Sequence, residues 1–218
     1  MKAAFRSLYR RLLEAYGPQH WWPADDPFEM MLGAILIQHT AWANASRAIE
    51  NLRSVGLLAP GPVDGTGLGR LAALIRPAGV YRVKARRIRA FARWYRSSGE
   101  YAALRALPTP ALRRSLLSVH GIGPETADDI LVYAFDRPVF VVDAYARRLF
   151  ARYGLARGDE KYPDLKARVE AGFHRDAAAL GELHALIVEH GKRKCRPKPL
   201  CGACCLRSSC AQVLNFSQ

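Results

Sequence analysis

Helix-forming segments follow one another along this chain, and one apolar run breaks the pattern: PVFVV, Pro138–Val142. By itself the run could pass for a β-strand. A strand needs a partner, and no second run of that kind occurs. The sequence therefore predicts an all-α fold, with PVFVV as a buried extended connector. Phe5, Leu8, Leu12 and Tyr16 recur at helical spacing in the first segment, which Gly17-Pro18 stops. Asp26 is placed as an N-cap, with Pro27 at the first helical position and Glu29 set for a capping box. FEMMLGAILI follows and is apolar nearly all round, as a buried central helix should be. Thr40 is expected to cap the next helix, which ends near Gly56, and APGPVDGTG reads as a loop. Leu71–Ile75 predicts a short helix closed by Pro77 and Gly79.

From Val80 onward, Ile88, Phe91, Ala92 and Tyr95 share one helical face, while Arg82, Lys84, Arg86, Arg87, Arg89, Arg93 and Arg96 supply much of the rest. Such a face is either solvated or turned toward phosphate. Thr109-Pro110 opens a helix through ALRRSLLSV, and Pro124–Ala134 forms the next. Asp143 begins DAYARRLFARYG, stopped at Gly154; Tyr162–Phe173 and Ala177–His190 are helical again.

The charge balance points to a polyanion. The chain has 33 Lys and Arg against 19 Asp and Glu, a formal net charge of +14 over 218 residues. Such an excess fits nucleic acid best. No segment approaches the ~18 consecutive apolar residues of a membrane span. The N-terminus lacks the continuous apolar core of a signal peptide. The expectation is a monomeric, cytoplasmic, nucleoid-associated protein with no membrane partner.

Two motifs carry chemistry. In SVHGIGPETADDI, Ser118–Ile130, a glycine-bracketed turn joins two helices. Gly121 and Gly123 can take backbone angles closed to other residues, and successive amides of such a turn can cradle a phosphate. A plain connection between antiparallel helices would look the same. The second motif is CRPKPLCGACCLRSSC, which gathers all five cysteines into Cys195–Cys210. Cytosolic chains seldom use structural disulfides, so a metal explanation is called for. Cys195, Cys201, Cys204 and Cys210 can hold a [4Fe–4S] cluster. Zinc is the runner-up, although zinc ribbons usually use two CxxC knuckles and only one occurs here.

LLSVHGIGPETADDILVYAFDRPVFVVDAYARR resembles the endonuclease III-like helix-hairpin-helix DNA glycosylases. The likeness extends to GAILIQHTAWANASRAI and GVYRVKARRI and to the cysteines, covering nearly the whole chain. It is nearest to the monofunctional alkylpurine-type members. The resemblance implies two helical domains flanking a DNA-binding groove. A six-helix barrel would span residues 22–137, with its hairpin at about 111–134. An iron–sulfur cluster domain would combine residues 1–21 with 138–218. It also implies a [4Fe–4S] cofactor on Cys195, Cys201, Cys204 and Cys210. The first gap is one residue shorter than the family's, which leaves Cys204 and Cys205 both eligible as third ligand.

The partner implied is double-stranded DNA containing a damaged or mismatched base. Asp143 would be the catalytic carboxylate, although an N-cap role alone would also explain it. Gln38 would fill the gap left by a flipped base, with Val80 and Tyr81 as the wedge on the other strand. Lys84, Gly121, Gly123, Thr126, Arg148, Arg196 and Lys198 would contact DNA, and Trp42 and Tyr145 would line the base pocket. Bifunctional members carry a lysine where this chain has Glu125, so lyase activity is expected to be weak or absent. A second carboxylate suits a cationic alkylated purine; plain stabilisation of a helix N-terminus would explain Glu125 equally well. Asp128 and Asp129 are expected to face away from DNA. A glycosylase for mismatched thymine or uracil, and a family member that binds DNA without catalysis, remain the alternatives.

Overall fold

The computed structural model describes residues 2–215 and contains thirteen α-helices and no strand among them. They are α1 Lys2–Tyr16, α2 Pro27–Leu36, α3 Trp42–Ser54, α4 Pro60–Gly65, α5 Leu68–Leu74, α6 Tyr81–Ser97 and α7 Glu100–Ala106. They continue with α8 Thr109–Leu117, α9 Pro124–Phe135, α10 Ala144–Tyr153, α11 Tyr162–Glu170, α12 Ala177–Arg193 and α13 Ala211–Asn215. Single 3₁₀ turns lie at Arg76–Ala78 and Arg207–Ser209. The chain divides into two compact units, Trp22–Phe135 and Met1–Trp21 with Asp136–Gln218. Met1 and residues 216–218 of the expected domain ends lie outside the described residues.

In the first unit, α2 is buried on all sides and packs on α9 and α6. Its N-cap is Asp26, whose carboxylate accepts from the Phe28 and Glu29 amides at 2.7 and 3.0 Å. The expected capping box is altered. Glu29 accepts from the Asp25 amide and pairs with Arg53 at 2.6 Å. Thr40 is not the cap of α3 either; Ala41 holds that position, and the Thr40 hydroxyl accepts from the Asn44 amide group. APGPVDGTG is a helix where a loop was expected. Pro60 and Pro62 sit in the first turn of α4, where a missing N–H costs little. Val63 is buried, and α4 packs on α6. Burial of that kind, about 1.5–3 kcal/mol for such a side chain, outweighs the weak local propensity. On α6, Ile88, Phe91, Ala92 and Tyr95 are buried as the periodicity predicts.

In the second unit, Phe5, Leu8 and Leu12 of α1 pack with Phe140, Leu149 and Phe150 and with Leu183 and Ile187 of α12. PVFVV is extended without a ladder, and Val139–Val142 are buried. The Phe140 amide finds its acceptor in the Glu170 carboxylate at 2.8 Å, which a partnerless extended segment needs. Among the described residues no helix is long and apolar enough to cross a membrane.

Candidate active site and nucleic-acid interface

The hairpin turn is built from short-range bonds. The Ile122 amide donates to the Val119 carbonyl at 3.0 Å and Ala127 to Gly123 at 2.9 Å. Gly121 has φ +89°, and an added Cβ would run into the Arg87 side chain. Two independent constraints thus require glycine there. Behind the turn, Arg113 of α8 grips the Asp128 carboxylate of α9 at 2.8 and 3.1 Å. Asp128 and Asp129, expected to face away from DNA, are both buried, and Asp128 ties the hairpin helices together.

Gln38 lies across the same turn. Its side-chain amide donates to the Gly121 carbonyl at 3.1 Å and to the Thr126 hydroxyl at 2.9 Å, and its oxygen accepts from Arg87 at 2.5 Å. Thr126 is buried, its hydroxyl engaged with Gln38 rather than displayed. Glu125 is exposed in the first turn of α9. Val80 is 62 % exposed with φ +45°, a left-handed angle that is unusual for a β-branched residue. Tyr81 follows, with the Arg76 guanidinium 6.0 Å from its ring centroid.

Lys84, expected to contact DNA, is engaged inside the fold. It is 1 % exposed, and its ammonium donates to the Leu36 and Ala78 carbonyls at 2.8 and 2.7 Å. Burial, with a contribution from Arg87, lowers its pKa to about 8. Trp42 meets Trp22 edge to face at 5.3 Å, and Trp22 also packs on Tyr133 and against Gly33. Trp42 lines a cavity of about 460 Å³ with Asp25, Glu29 and Arg53.

In the other unit, Asp143 is the N-cap of α10, one oxygen accepting from the Ala146 amide at 2.7 Å. The second oxygen lies 3.7 Å from Nε2 of His184 on α12, and both side chains are nearly buried. Tyr145 lies so close to Gly191 that a Cβ there would overlap its ring, and the Arg148 guanidinium sits 5.0 Å from the ring centroid. Arg148 donates to the Cys195 carbonyl at 2.7 Å. Arg152 donates to the carbonyls of Arg196 and Pro197 at 2.5 and 2.8 Å. Together these two arginines hold the cysteine segment against α10. Arg196 and Lys198 are exposed on it.

Cys195, Cys201, Cys204 and Cys210 line one cavity with about 360 Å³ of atom-free space, part of it open to solvent; Cys205 is not in its lining. Cys204 approaches Nε2 of His190 at 3.8 Å, and Nδ1 of that ring meets the Tyr16 hydroxyl at 2.8 Å. A hydrogen bond with Cys205 and burial raise the Cys204 thiol to about 12, while the same bond lowers Cys205 to about 6. Among the described residues, no three His, Cys, Asp or Glu side chains are grouped as a single metal ion requires.

A family model for HhH-GPD superfamily base excision DNA repair proteins matches residues 32–175. This chain belongs to that superfamily. A Methanocaldococcus jannaschii protein named as a DNA repair glycosylase is 43% identical over 207 residues, covering 93% of this chain and 94% of that one. Endonuclease III of Sulfolobus acidocaldarius is 29% identical, covering 86% and 83%. Among solved structures, H. pylori 3-methyladenine DNA glycosylase bound to 1,N6-ethenoadenine has a TM-score of 0.75 and 28% identity, covering 88% of this chain and 95% of that one. A non-covalent endonuclease III–DNA complex has a TM-score of 0.84 at 21% identity, covering 100% and 98%, and shares the fold.

The chain is thus a DNA repair glycosylase of the HhH-GPD superfamily. Sequence reasoning missed Arg152, His184 and His190, and read Arg87 only as part of a basic face, without its bond to Gln38. Only His190, five residues before Cys195, carried a local signal. The partners of Arg87, Arg152 and His184 come from distant segments.

Proposed function

We propose that this protein is a monofunctional DNA glycosylase that hydrolyses the N-glycosidic bond of a flipped-out alkylated purine. The carrying observation is Asp143, a carboxylate fixed by its own helix cap and flanked by His184 at 3.7 Å. As the base departs with the bonding electron pair, positive charge develops on the sugar. A fixed carboxylate stabilises that charge and accepts the proton of the attacking water. Extrusion of the base costs a few kcal/mol, least for a damaged one. Gln38, beside the hairpin, and the exposed, left-handed Val80 with Tyr81 are suited to occupying the vacated stack. The glycines of the turn offer amides to backbone phosphate.

Glu125 stands where bifunctional relatives have lysine. A carboxylate forms no Schiff base, so strand cleavage is not expected. The 28% identity to a 3-methyladenine glycosylase supports a cationic purine, which stacks well on an indole such as Trp42. Cys195, Cys201, Cys204 and Cys210, around one cavity, suit a [4Fe–4S] cluster, which four closely grouped thiolates can hold. That group, when bound, fixes the loop carrying Arg196 and Lys198 and supplies no step of the reaction.

A panel of lesion duplexes, each treated with alkali after incubation, tests the reading. Release of 7-methylguanine or 3-methyladenine ahead of uracil is expected. Asp143→Asn should slow it by about 10²-fold or more. Preferential release of mismatched thymine or uracil would replace the alkylpurine reading. A strong borohydride-trapped adduct on abasic DNA would refute monofunctional action.

A further inference from the structure

Four arginines of α6, and Arg76 just before it, sort into two groups. Arg93 and Arg96 both pair with Asp64, at 3.1 and 3.0 Å. Arg76, Arg82 and Arg86 have exposed side chains that make no ion pair or hydrogen bond among the described residues. These three line a groove of about 500 Å³ with Tyr81, over a floor of Leu68, Gly69, Ala72 and Ala73 from α5. The groove begins beside Val80.

Among the described residues no carboxylate pairs with these three arginines, and Arg76 meets only the Tyr81 ring. Arg82 and Arg86 are like charges at i,i+4, a destabilising spacing on a helix. Arg82 also sits in the first turn of α6, where the helix dipole disfavours a cation and no acid is present. Three of the four floor residues are Gly or Ala, which leaves room for a chain to lie in the groove. Three unpaired guanidiniums rimming a groove match a row of phosphates, each able to accept paired N–H bonds.

We propose that the Arg76–Tyr81–Arg82–Arg86 groove docks the sugar–phosphate backbone of duplex DNA beside the Val80 wedge. This rests on the glycosylase reading above. The assignment predicts that the two arginine groups differ in what they contribute at equal charge.

The test is binding of the full-length protein to an undamaged duplex across a salt series. Each lost phosphate contact lowers the slope of log K against log salt by about 0.9. Arg82→Ala with Arg86→Ala should lower it by about 1 to 2. Arg93→Ala with Arg96→Ala removes the same charge and should change it by less than about 0.5. Equal losses in the two pairs, or no loss in the first, overturn the proposal. Base release from lesion duplexes by the unaltered protein is measured alongside. Absence of release with the slope difference intact would sink the glycosylase reading and leave the docking groove standing.

Discussion

The hairpin and the cysteine segment are each short and marked by one residue type, yet they are held in opposite ways. The hairpin is closed chiefly from within, by turn bonds at 3.0 and 2.9 Å and by Arg113 on the buried Asp128 immediately behind it, with Gln38 adding a brace across Gly121 and Thr126. The cysteine segment is held from outside, by Arg148 and Arg152 reaching from α10 to the carbonyls of Cys195, Arg196 and Pro197. Its own buried apolar content is small, chiefly Cys195 and Leu206, and four of its thiols face a cavity. The difference teaches that a turn can be specified largely by its own residues, whereas the cysteine segment borrows its shape from a neighbouring helix.

The comparison can be broken most strongly at Arg113. Arg113→Ala leaves a fully buried carboxylate without its guanidinium and should cost about 3–5 kcal/mol in denaturant unfolding. The next effect is one of pH in the hairpin's unit. Lys84 has a folded pKa of about 8 against an ordinary 10.5. Between those values the unfolded chain holds a proton that the folded chain has released. Stability should therefore rise as pH goes from about 8 to 10.5, by on the order of 3 kcal/mol, and Lys84→Met should flatten that rise. Below pH 8 this group contributes no pH dependence.

On the cysteine side, Arg152→Ala strips two carbonyls of a charged donor and should cost about 2 kcal/mol, together with faster hydrogen exchange in Cys195–Pro197. Gly121→Ala forces a left-handed angle on a residue with a Cβ and displaces Arg87, at about 1–2 kcal/mol. The smallest effect sharpens the ligand register. Cys205→Ser should leave iron content unchanged, whereas Cys204→Ser should lower it; the reverse order would move the third ligand to Cys205.

Much of the fold was legible in the residues. Asp26 and Asp143 cap their helices because an N-cap bond spans only two or three residues. Gly154 ends α10 in the left-handed region its lack of a Cβ favours. APGPVDGTG was illegible because α4 forms on the strength of burying Val63 against a distant helix. Thr40 was misjudged because the cap preference is weak beside the packing that sets where α3 begins.

The candidate site divides along the same line. The sequence by itself determined the all-helical architecture, the caps, the hairpin glycines and the clustering of thiols, since each depends on neighbours a few residues away. Only the tertiary structure decided which cations are spent internally. Lys84 is engaged with two carbonyls, Arg113 with Asp128, Arg93 and Arg96 with Asp64, while Arg76, Arg82 and Arg86 pair with no carboxylate among the described residues. It also brought His184 to Asp143 and put Cys204 rather than Cys205 at the cavity. The physical reason is common to all of these. The role of a charge or thiol is set by partners that arrive from other elements, and no local spacing encodes which of them will.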